Sequence, residues 1–130
     1  MVCAPRWIWP SVGPNICIHG FVALTRFGVD RALLQRAWNE SARLFALPPE
    51  RKRALAPISA ETNRGYSGLG RESLNRNRAG EPKEAFNVRN PEVHPPESYF
   101  SGCTEAFRTE ALALWDTLAL AARRYSLACA

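Results

Sequence analysis

Hydrophobic and polar positions show no period over residues 1–19, where Pro5, Pro10, Gly13 and Pro14 interrupt the chain. This stretch predicts irregular structure. From Gly20 the pattern becomes regular. Phe21 to Phe27 is a short β-prone run bounded by Gly20 and Gly28, and it predicts a strand buried on at least one face. Asp30 is a good helix N-cap. After it Leu33, Leu34, Ala37, Trp38, Ser41, Leu44 and Phe45 recur on one side of a helical wheel, with Arg31, Gln35, Arg36, Asn39 and Arg43 between them. The spacing predicts an amphipathic helix of about three to four turns. Pro48 and Pro49 stop it, and Pro49 can open a second short helix reaching about Leu55.

Residues 57–82 hold Gly65, Gly68, Gly70 and Gly80 among many polar residues, which predicts loop with an extended segment around Tyr66. Lys83 to Val88 predicts a second short strand through Ala85, Phe86 and Val88. Pro91, Pro95 and Pro96 mark another loop. The strongest local signal comes last. Phe107, Ala111, Leu114, Trp115, Leu118, Ala121, Ala122 and Tyr125 share one helical face, with Thr104 as N-cap and Glu105 in the first turn. Little in the sequence covers the far part of that face. Trp38 and Trp115 are expected in the core. The fold class that follows is α+β, with two main amphipathic helices and two or three short strands that close no sheet. No internal repeat and no interdomain linker is visible.

Composition narrows the class. The chain has 130 residues with 46% hydrophobic and 22% charged content, as expected for one globular domain. No apolar run is long enough to span a bilayer, and Trp7-Ile8-Trp9 is too short for the core of a signal peptide. The expectation is a soluble, cytoplasmic chain with no membrane partner. Cys3, Cys17, Cys103 and Cys129 are scattered without a C-x-x-C pair, so free thiols are expected rather than a zinc site. The net charge of +5 rests on arginines spread along the chain among glutamates. Neither Arg51-Lys52-Arg53 nor the group Arg71, Arg76, Arg78 is interleaved with stacking aromatics, which disfavours a nucleic-acid partner.

From Gly20 onward the ordered motifs resemble those of a known family. They are the run from Gly20 to Val29, the helix end Leu44-Phe45-Ala46-Leu47-Pro48, and Asn63-Arg64-Gly65-Tyr66 with Leu69-Gly70 after it. Lys83-Glu84-Ala85-Phe86-Asn87 closes the set. In this order they resemble the N-terminal region of isopenicillin-N-synthase-like dioxygenases. The resemblance implies residues 1–19 as an unmatched segment and residues 20–130 as the N-terminal domain, an incomplete piece of a double-stranded β-helix (jelly-roll) enzyme. It implies Fe(II) and 2-oxoglutarate as cofactors of the full-length enzyme, with a small-molecule substrate. It also implies that the supporting helix and a lid loop lie in this region, and that Asn63, Arg64 and Tyr66 on that loop contact substrate. An arginine fork suits a carboxylate, and a tyrosine offers a flat face and a hydroxyl. The competing account of the same residues is local: Gly65 serves a turn, Tyr66 packs, and Arg64 pairs with a nearby carboxylate.

The departures from the family carry equal weight. The usual strand and helix before the Gly-Phe strand are missing from residues 1–19, and Arg26-Phe27 replaces the usual Asn-His turn. Family enzymes hold iron with His-x-Asp and a later His, leaving coordination positions open. Here His19 precedes Gly20-Phe21, and His94 precedes Pro95-Pro96, so neither begins such a motif. Arg124-Tyr125-Ser126 matches the family's Arg-x-Ser string but falls on a predicted helix, with no histidine shortly before it. The expectation is therefore no metal site and no catalytic residue in this chain. It is a truncated, inactive fragment whose barrel would follow in further sequence. Phe86 is expected in the core with Lys83 and Glu84 outside, and His94 at the surface. The alternative function is a stand-alone basic module that binds an acidic partner or RNA.

Overall fold

The computed structural model describes residues 28–55, 63–72 and 80–129. The strand expected at Phe21–Phe27 and the irregular segment 1–19 lie outside them. The described elements run α1 (Arg31–Phe45), α2 (Pro49–Arg53), β1 (Gly65–Ser67), β2 (Ala85–Asn87), a 3-10 turn (Pro96–Ser98) and α3 (Glu105–Cys129). Helices and a small antiparallel sheet together make this α+β. The chain forms two compact units, one of Ala32–Trp115 and one of Met1–Arg31 with Asp116–Ala130. Among the described residues, no helix is long and apolar enough to cross a membrane.

Each boundary in the first unit has a local cause. α1 ends where Ala46 N donates to Ala42 O and Leu47 N to Leu44 O, and the two prolines then forbid another turn. Pro48 is extended, and Pro49 opens α2, where a missing N–H costs nothing. α2 stops at Arg53, which leaves Leu55 free to enter the core. At α3, Thr104 Oγ1 accepts from Phe107 N at 3.2 Å, the N-cap expected from the sequence. β1 and β2 pair in the register Gly65↔Asn87, Tyr66↔Phe86 and Ser67↔Ala85. The pairing continues past the strands, with Gly70 N donating to Glu81 O and Glu81 N to Glu72 O. Gly80 is required at this approach, because a Cβ there would stand 1.9 Å from the Gly70 carbonyl oxygen.

The core of this unit is aromatic. Leu44, Leu55, Tyr99, Phe100 and Phe107 are buried, with Leu47, Tyr66, Phe86, Val88 and Ala111 packed against them. Phe86 meets Phe107 edge-on at 5.1 Å between centroids, and Phe100 lies 5.2 Å from Phe86 and 5.8 Å from Phe107. Tyr99 is fully enclosed and its hydroxyl donates to Arg89 O at 3.1 Å, which satisfies the buried polar end.

Trp38 departs from expectation. It is 73% exposed and Leu34 is also exposed, while Leu33, Ala37 and Leu44 form the buried line. Trp38 sits one residue beyond Ala37, about 100° further round the helix. The apolar stripe is wider than the surface that α1 buries. Trp115 is half-buried on α3, and Leu118, Leu120 and Leu127 beyond it are exposed. Cys103 is a free thiol, and burial pushes its pKa up to about 11.

Candidate functional site

The loop that enters β1 is fixed by its own backbone. Asn63 adopts a left-handed conformation (φ 46°), which asparagine tolerates better than most residues, and Gly65 follows at φ 95°. Two groups, one at the end of β2 and one just after it, hold Asn63. Asn87 Nδ2 donates to its Oδ1 at 2.8 Å, and Arg89 Nε donates to its carbonyl at 3.1 Å. Arg64, half-buried, is joined to His94, with Nη1 2.8 Å from Nδ1. Tyr66 points elsewhere: its ring packs against the core and its hydroxyl donates to Glu84 Oε1. The three expected substrate contacts thus share one short segment but face different partners. Asn63 is exposed, Arg64 lies against His94, and Tyr66 belongs to a charged cluster with Glu84 and Lys52.

Two members of these clusters differ from the sequence reading. Glu84, expected outside, has a side chain only 19% exposed and accepts from Lys52 Nζ at 2.7 Å. Lys52 also donates to Phe45 O at 3.1 Å, which places a cation on the C-terminal carbonyls of α1. Lys83 does lie outside and pairs with Glu72 and Glu81. His94, expected at the surface, is half-buried and lies 30 positions from its partner Arg64. No local spacing could have announced that contact. Arg64 was expected to meet a carboxylate if it served only local structure, and it meets an imidazole instead.

The cluster shifts its own titrations. Burial first, then the hydrogen bond to Glu84 and the Glu84 charge, push Tyr66 from 10.0 up to about 12. A phenol that ionises later in the folded state adds stability that is complete below the unfolded pKa near 10.0. That stability disappears as pH rises towards about 12. An ultraviolet absorbance titration should therefore show a late phenolate step that vanishes in Tyr66→Phe. Loss of an ordinary step near 10.0 in Tyr66→Phe would instead show that the bond to Glu84 does not hold the proton.

The described residues do not fit an iron site. No group of three or more His, Cys, Asp or Glu side chains among them converges on one point. His94 Nδ1 already faces the Arg64 guanidinium, and His19 lies outside the described residues.

Comparison with curated proteins and with solved structures returned no match. A family model described as the N-terminal region of a non-haem dioxygenase in morphine synthesis does match, over residues 17–106. That span takes in α1, the Asn63–Ser67 loop, both strands and the start of α3, more than two thirds of the chain. With these elements in their family order, the chain belongs to the non-haem dioxygenase N-terminal family.

Proposed function

We propose that this chain is the supporting and lid domain of a non-haem Fe(II)/2-oxoglutarate-dependent dioxygenase, an oxidoreductase, and is inactive by itself. The domain would flank a jelly-roll barrel of the isopenicillin-N-synthase type. Iron and 2-oxoglutarate would be held by barrel residues that this sequence does not contain, and the substrate would be a small molecule. The observation that carries the reading is the family match over residues 17–106. The loop geometry supports it: Asn63, Arg64 and Tyr66 stand on a backbone fixed from β2 and its following segment, as a substrate-facing loop requires. In this reading Asn63 and Arg64 offer polar contacts. Tyr66 offers its ring, since its hydroxyl is engaged with Glu84.

The donor set predicts the behaviour of the isolated chain. Anaerobic titration with Fe(II) should show no stoichiometric binding, and incubation with 2-oxoglutarate and oxygen should form no succinate. A one-to-one site with turnover would overturn the proposal.

A further inference from the structure

We propose that His94 is a positioning residue, holding Arg64 as a binding fork for a carboxylate-bearing ligand. This rests on the reading of the Asn63–Tyr66 loop as substrate-facing. A guanidinium carries only donors and stays protonated, so in the 2.8 Å contact the imidazole Nδ1 must accept. The ring N–H of His94 is then the one on Nε2.

The choice of partner matters. Lys52, Lys83, Arg36, Arg43 and Arg108 each meet a carboxylate; Arg64, like Arg51, Arg53 and Arg89, belongs to none of the ion pairs among the described residues, but it is the one whose guanidinium meets His94. An imidazole acceptor fixes a guanidinium in direction without cancelling its charge. Glu97, whose charge also acts on Tyr99, is paired with Arg108 at 2.5 Å. The Arg64 charge also acts on the Tyr99 hydroxyl, favouring its ionised form against the larger effect of burial.

Both ends of the contact are anchored. His94 follows a turn in which Val93 N and His94 N donate to Asn90 O, and Asn90 Oδ1 accepts from Glu92 N. Arg64 sits between Asn63, held by Asn87 and Arg89, and Gly65. The Nη1 contact uses one of the five guanidinium N–H groups, so a bidentate face remains for a carboxylate.

The test uses the full chain with isotope-labelled histidine and arginine, at neutral pH. Nitrogen-detected spectra should show His94 Nδ1 unprotonated and Nε2 protonated. Succinate, the probe, should shift the Arg64 side-chain signal saturably, and Arg64→Gln should abolish that binding. His94→Ala should weaken it about tenfold, while His94→Gln, whose carboxamide oxygen can accept, should stay within about threefold of wild type. A proton on Nδ1, or undiminished binding in His94→Ala, would overturn the role of His94 and leave the loop reading standing. Absence of succinate binding at Arg64, or its survival in Arg64→Gln, would overturn the loop reading itself.

Discussion

Replacing Phe107 with alanine should lower the free energy of unfolding by about 3–5 kcal/mol. Phe107 is 5% exposed and joins three separate parts of the fold. It lies in the first turns of α3, meets Phe86 of β2 edge-on at 88°, and meets Phe100, which follows the 3-10 turn. Truncation removes the burial of the ring and leaves a void that neighbours anchored on three elements cannot easily close. Domains of this size have only about 5–15 kcal/mol of stability, so the loss would be a large fraction of it. Urea titration should show a lower midpoint with an unchanged slope. Val93→Ala, at a side chain 66% exposed, is the control and should stay within about 0.5 kcal/mol of wild type. A cost for Phe107→Ala below about 1 kcal/mol would mean that the aromatic cluster is not the core of this unit.

The elements of this fold are more legible in the sequence than their partners are. α1 and α3 follow from helical spacing, because the residues that define each period are neighbours in the chain. Pro48-Pro49 marks both the end of α1 and the start of α2 for equally local reasons. Tyr66 and Phe86 can each be placed on an extended segment, but that they stand opposite each other depends on how the intervening residues return. The same limit explains Trp38. Helical spacing identifies an apolar stripe, while the packing neighbours decide that Leu33 and Ala37 are buried and Trp38 is not.

The candidate site divides in the same way. The motif Asn63-Arg64-Gly65-Tyr66 is visible in the sequence, and its turn residues behave as their conformational preferences suggest. What each side chain touches is not visible. Glu84 reads as a solvated charge beside Lys83, yet it is drawn inward because Lys52, 32 positions earlier, places an ammonium beside it. His94 reads as part of a proline-rich loop, and only the folded chain brings it to Arg64. The two contacts join positions 32 and 30 residues apart, so sequence spacing carries no trace of them.

The Lys52 contact has the second large expected effect. Lys52→Met should cost about 2–3 kcal/mol, more than a surface ion pair and less than a fully enclosed one. The lysine and glutamate side chains are 13% and 19% exposed, so the lone Glu84 carboxylate would be only partly rescued by water. Phe45 O would also lose its donor at the end of α1. Lys52→Met combined with Glu84→Gln should be more stable than Lys52→Met alone, because no unpaired charge remains and the carboxamide can still accept from Tyr66. The pH dependence gives an independent check. The hydrogen bond from Lys52, followed by that from Tyr66, holds the Glu84 carboxyl below its ordinary value of 4.5. A carboxyl lowered in the folded state contributes stability that is present above 4.5 and is lost as pH falls through the folded value. Wild type should therefore weaken below that pH more steeply than Lys52→Met, while the outer carboxylates contribute equally to both: Glu72 is lowered by its hydrogen bond to Lys83, and Glu97 first by its own backbone N–H and then by Arg108. Urea midpoints measured from neutral pH into the acid range would decide it. A cost below about 0.5 kcal/mol with parallel acid limbs would show that Lys52 and Glu84 are a surface pair, and that Tyr66 is oriented by packing alone.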